Sequence, residues 1–123
     1  MVSSSEISAT SVGRAGEFLT ASKLQMAGLE TTHVAGSCDL HVTLPSKRVL
    51  RVEVKAALTP SHSGAFRFHV GNSNAEVFVL VSMPLSLIRI FNQCELKSKL
   101  ITLRPAEFTQ KAEADDIAHL LLR

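Results

Sequence analysis

Four side chains carry the groups for one kind of chemistry: Glu17, Asp39, Glu53 and Lys55. Glu53 and Lys55 lie in the stretch "RVEVKAAL", whose alternation puts Val52 and Val54 on one side of a strand and Arg51, Glu53 and Lys55 on the other. Taken alone, such an acid–x–lysine pair reads as the salt-bridged outer face of an ordinary strand. With further carboxylates beside it the reading changes. Crowded carboxylates repel one another, and a hard divalent cation such as Mg²⁺ relieves the repulsion through oxygen ligands while keeping several of its waters. An ion held in this way polarises a phosphate and lowers the pKa of an attacking water. A lysine two residues from the liganding acid emerges on the same face, where it can orient that water or offset charge building on phosphorus.

The elements around these residues decide whether they meet. "CDLHVTL" alternates with Leu40, Val42 and Leu44 inward and Asp39, His41 and Thr43 on the other face; "PSKR" turns the chain into a strand over Val49 to Ala57. For Leu40, Val42 and Leu44 to share a face with Leu50, Val52 and Val54, paired residue numbers must add to an even value, about 92 or 94. Asp39 then falls opposite Glu53 or Lys55. Upstream, a helix is expected from a Ser11 cap to about Ala27, with Gly28 as the stop. It has two apolar stripes: Val12, Ala15, Leu19 and Met26 on one, Ala21 and Leu24 with the Gly28 backbone on the other. Glu17 lies on the second stripe, an unfavourable place for a carboxylate unless it pairs or acts.

Residues 1–10 read as a loose, Ser-rich arm and 11–123 as one domain. Thr31 to Ala35 is expected as a short strand and Gly36-Ser37 as a turn. "AFRFHV", "LIRIF" and "LITL" are expected as strands, and "EVFVLVSM" as a central strand covered on both faces. Pro105 opens a helical region that ends in the amphipathic stretch Asp116 to Leu122. The order predicts a single α/β domain, a central mixed sheet flanked by helices. The chain of 123 residues is 46% hydrophobic and 20% charged, with a formal charge of +2. It can bury a core without staples but has no strong overall basic field. No apolar run nears the ~18 residues of a membrane span, and no signal peptide is evident. Cys38 and Cys94 form no CxxC pair, so the reading is a cytoplasmic protein with reduced thiols. The five histidines have no zinc spacing, and no GxSxG or dinucleotide fingerprint occurs, so no organic cofactor is expected.

Together these residues resemble the PD-(D/E)XK nuclease superfamily. The matching pieces are "GRAGEFLTASKLQMAG" with Glu17, "SCDLHV" with Asp39 and "RVEVKAA" with Glu53 and Lys55. The likeness covers roughly residues 13–57, and less specifically "AEVFVLVSM"; Cys38 stands where a proline often precedes the Asp. The resemblance implies a restriction-endonuclease-like core and Mg²⁺-dependent cleavage of DNA, with Mn²⁺ able to substitute. It implies that Asp39, Glu53 and the main-chain carbonyl of Val54 bind the metal, with Glu17 joining directly or through water, and that Lys55 is the catalytic lysine. It also implies that Gly13-x-x-Gly16 lets the helix start close to the sheet. Length and motif order resemble archaeal Holliday junction resolvases and compact restriction-type or phage nucleases, so branched DNA and a role in repair or recombination enter as expectations. So does a homodimer formed through Val12, Leu19 and Met26 or through the tail "IAHLLLR". Arg14, Lys23, Lys47, Arg48, Arg51 and Arg67 are candidate phosphate contacts. His69 could extend the groove and His41 could touch substrate. The reading from another class is a catalytically silent nucleic-acid-binding or assembly module of the same fold.

Overall fold

The first helix, α1 (Ala9–Met26), starts earlier than its sequence suggests. Ser8, not Ser11, is the N-cap, and its hydroxyl accepts the Ser11 N–H at 3.1 Å. The expected end holds: Ala27 is the C-cap and Gly28 takes φ 91°, a left-handed conformation that glycine adopts without strain. The computed structural model describes residues 6–34, 39–71 and 73–123. The Gly36-Ser37 turn, Cys38 and the first half of the expected arm, residues 1–5, lie outside them.

Seven strands follow: β1 (Glu30–His33), β2 (Leu40–Thr43), β3 (Val49–Ala57), β4 (Phe66–His69), β5 (Val77–Ser82), β6 (Leu87–Asn92) and β7 (Leu100–Leu103). A 3₁₀ turn over Gln93–Glu95 separates β6 from β7, and another, Pro105–Glu107, leads into α2 (Gln110–Leu121), whose N-cap is Thr109. Five strands form a mixed sheet in the order β1-β2-β3-β5-β6, in which only β3 and β5 run parallel. β4 and β7 pair separately as an antiparallel ribbon. The β2–β3 hairpin has the register read from its buried face, with Leu40 opposite Val52 and Val42 opposite Leu50. β5 is buried along its whole length, as its uninterrupted apolar run requires.

The two faces of the sheet carry separate cores. On one, Val52, Val54, Val77, Val79 and Val81 pack with Leu24 of α1 and Leu120 of α2. On the other, Phe78 and Leu80 pack with Phe66 and Phe68 of the ribbon and with Phe108. Both helices therefore cover one face and the ribbon covers the other. On α1 the expectation for the first stripe fails. Ala15 is exposed and Met26 is 87% exposed, while Gly16, Thr20 and Leu24 are buried. The helix approaches the sheet along the small residues Gly16 and Thr20, with Leu24 buried on the same side. Of the proposed dimer surfaces, Leu19, Ile117 and Leu121 pack against the monomer's own core.

Helix α2 is fixed to the edge strand β6 by carboxylates. Glu113 accepts from Lys23 Nζ at 2.6 Å and from the Ile88 N–H at 3.1 Å. Asp116 accepts from Arg89 Nε and from the Ile90 N–H, both at 2.8 Å. Glu95 continues the series by accepting the Asn92 N–H at 2.7 Å. No helix among the described residues is long and apolar enough to cross a membrane.

Candidate active site

The hairpin is fastened at its open end by Asp39. Its main-chain N–H donates to the Val52 carbonyl at 3.1 Å, and its Oδ2 accepts the Val54 N–H at 2.7 Å. Asp39 is thus tied to the residues on either side of Glu53. One carboxylate oxygen completes the backbone hydrogen bonding of β3, and the other has no hydrogen bond among the described residues. Lys55 Nζ lies 3.9 Å from Glu53 Oε2. In the parallel register Glu53 is opposite Phe78 and Lys55 opposite Leu80, so both side chains project on the ribbon's side of the sheet.

Glu17 lies on the helix-covered face, opposite the one that carries Glu53 and Lys55, and comes near Asp39 because Gly16 lets α1 lie close to β3. A Cβ at Gly16 would stand 2.6 Å from the Ala56 Cβ, so only glycine permits α1 to lie so close to β3. Burial raises the Glu17 carboxyl above the ordinary glutamate range and the charge of Asp39 adds to the rise, while His33 and Arg14 pull it down. Glu53 is raised as well: burial dominates, Lys55 opposes it, Asp39 reinforces it, and a hydrogen bond from Ser73 opposes it. Asp39 is the charge that both glutamates feel. The site therefore holds negative charge that the protein does not fully offset.

Among the described residues, no three His, Cys, Asp or Glu side chains are grouped closely enough to hold a metal by themselves. The donors at the hairpin are two carboxylates with main-chain oxygen nearby. That set fits Mg²⁺, which binds through few protein oxygens and keeps its waters, and does not fit a zinc cage.

The candidate phosphate contacts divide. Lys23 is committed to Glu113 on the helix face. Arg48 and Arg51 both pair with Glu76. Burial would raise Glu76, but the Arg51 main-chain N–H and the two guanidiniums outweigh it and hold its carboxyl low. Arg14, Lys47 and Arg67 are in no ion pair among the described residues. His41 lies opposite Arg51 on the hairpin and is half-buried. Two residues of the site escaped the sequence reading. Ser73 follows β4 in an irregular segment with no pattern to read. His33 owes its place to β1 pairing, where it lies opposite Leu40 and against the Phe18 ring at 4.9 Å.

No family model and no curated protein sequence matches the chain. Among solved structures, the bacterial homing endonuclease I-Ssp6803I matches with a TM-score of 0.73 at 19% identity, covering 94% of this chain and 91% of that one. The fold is similar to that of a nuclease. At this identity the likeness concerns the path of the chain, and the case for chemistry rests on the residues.

Proposed function

We propose that the protein is a Mg²⁺-dependent DNA endonuclease with a PD-(D/E)XK-type site. The observation that carries this reading is Asp39 bound to both flanks of Glu53, with Lys55 beside it and Glu17 close enough to feel the Asp39 charge. The similarity in fold to a homing endonuclease supports the same reading. Asp39 and Glu53 would hold the cation, with the Val54 carbonyl as a further oxygen and Glu17 acting through water. The bound ion would supply positive charge for a phosphate oxygen and acidify an attacking water. Lys55 places an ammonium on the same strand face, where it stabilises charge on the phosphate and orients the water. Glu17, with its raised pKa, accepts a proton from that water more readily than an ordinary glutamate does.

The test is cleavage of labelled duplex, single-stranded and four-way-junction DNA. Cutting with Mg²⁺ or Mn²⁺, blocked by EDTA and lost in Lys55→Ala and Asp39→Ala, is expected. Binding without cutting on every substrate with either metal would make the protein a silent binding module of this fold.

A further inference from the structure

We infer that the β4–β7 ribbon is the surface that holds duplex DNA against the site, ahead of the basic hairpin turn that the sequence suggests. The inference rests on the nuclease reading and adds to it a gripping surface. Acidic residues are distributed unevenly. None of the chain's 11 lies between Lys55 and Ala75 or between Leu96 and Ala106, the two stretches that build the ribbon and its loops. The same stretches carry Arg67, Lys97, Lys99 and Arg104, all exposed and none in an ion pair among the described residues. His62 and His69, both exposed, lie with them. Elsewhere the positive residues are largely occupied: Lys23, Arg48, Arg51, Arg89 and Lys111 each have a carboxylate partner.

The ribbon's position suits this role. Phe66, Phe68 and Leu103 face the core, which leaves Arg67, His69 and Thr102 on the outer face, with Arg67 opposite Thr102 in register. The ribbon sits on the face of the central sheet that carries Glu53 and Lys55, and β4 is a strand of it that lies against β3. A phosphate held at Lys55 therefore lies beside the ribbon. A two-stranded antiparallel ribbon is one of the elements that a DNA groove admits. The large apolar residues left exposed, Phe18, Met26, Val49, Leu85 and Leu122 among them, all lie outside the ribbon, so its charge has no apolar anchor of the kind a membrane surface needs.

The test is binding of a labelled DNA duplex in EDTA, which prevents cutting, measured by fluorescence anisotropy from about 50 to 200 mM salt. Three paired variants are compared with wild type: R67A/K99A, K97A/R104A and, for the hairpin, R48A/R51A. Each lost phosphate contact lowers the slope of log K against log salt by about 0.9, so each ribbon pair is expected to flatten it by nearly 2 and to weaken binding at least roughly tenfold. The hairpin pair should change binding less than about threefold, since its guanidiniums already serve Glu76. Thermal midpoints and circular dichroism verify that each variant is folded, and the two ribbon pairs serve as independent tests. Ribbon variants that bind like wild type, or a larger loss in R48A/R51A, overturn the ribbon assignment and leave the nuclease reading standing. A wild-type protein that neither binds nor cuts DNA overturns both.

Discussion

Two groups of carboxylates in this molecule are handled in opposite ways. Glu113 and Asp116 of α2 each receive a cationic side chain and a main-chain N–H from β6. Around Glu53, by contrast, two glutamates share the field of Asp39, and the nearest ammonium is 3.9 Å away. The first group fixes a helix to a sheet edge. In the second, Asp39 ties the hairpin, while burial and the Asp39 charge both work against the charged forms of Glu17 and Glu53. Charge that folding works against is a mark of function, because structure alone gives no reason to keep it. The same criterion separates the cations, since those bound to acids support the fold while those of the ribbon do not.

The comparison can be broken or sharpened by mutation. The largest effect is expected for Lys55→Ala. Cleavage should fall at least about 1,000-fold, roughly 4 kcal/mol in the barrier, while duplex binding measured in EDTA stays near wild type. Glu113→Ala removes the acceptor from Lys23 and from the Ile88 N–H together, and urea denaturation should show a loss of about 3 kcal/mol. A loss under about 1 kcal/mol would mean that the α2 carboxylates are as dispensable to folding as those of the site.

Gly16→Ala sets two effects against each other. Alanine gains about 1 kcal/mol in helix propensity, whereas a Cβ at 2.6 Å from Ala56 costs about 1–3 kcal/mol in overpacking. A net destabilisation of about 1 kcal/mol is expected. Because α1 must move to relieve the clash, cleavage should fall further than stability, which a paired assay of melting and rate would read.

The smallest effect has the opposite sign. The folded pKa of Glu53 is raised, so in the window between the ordinary glutamate value and that raised value the native state binds more protons than the unfolded one. Stability contributed by this group is present at low pH and is lost as pH climbs through the window. Glu53→Gln should therefore melt up to about 3 °C above wild type at pH 8, and the gap should close at a pH below the ordinary glutamate value. The same variant should be inactive. If it melts lower at pH 8, Glu53 belongs with the structural acids.

The β2–β3 hairpin is legible because its inner face is fully apolar. One buried alternation in each of two strands, joined by a short turn, leaves only the even registers, and the structure takes the one with Leu40 opposite Val52, which brings Asp39 to Glu53. Glu17 stands out in the sequence because it interrupts an apolar helix stripe, and the structure places it within reach of the Asp39 charge. What the sequence does not show are the pairings whose partner is distant in sequence. Lys23 resembles a surface cation until Glu113, 90 residues away, is folded against it. Arg48 and Arg51 resemble phosphate contacts until Glu76 arrives on β5's lead-in. The contact face of α1 departs from its hydrophobic periodicity for a different reason. Hydrophobic periodicity finds large side chains, whereas the tightest contact on this helix is made by Gly16. Separate pairing of β4 with β7 depends on a crossover that local patterns do not encode.

The carboxylate row along β6 has one more consequence, for assembly. Successive outward amides at Ile88, Ile90 and Asn92 are already taken by Glu113, Asp116 and Glu95, and an incoming strand would have to displace three acids to add there. The central sheet can therefore be extended at its opposite margin alone, along the short, polar β1. Any pairing of two copies that continued this sheet would have to run β1 to β1, next to the site, and could not grow into a fibre.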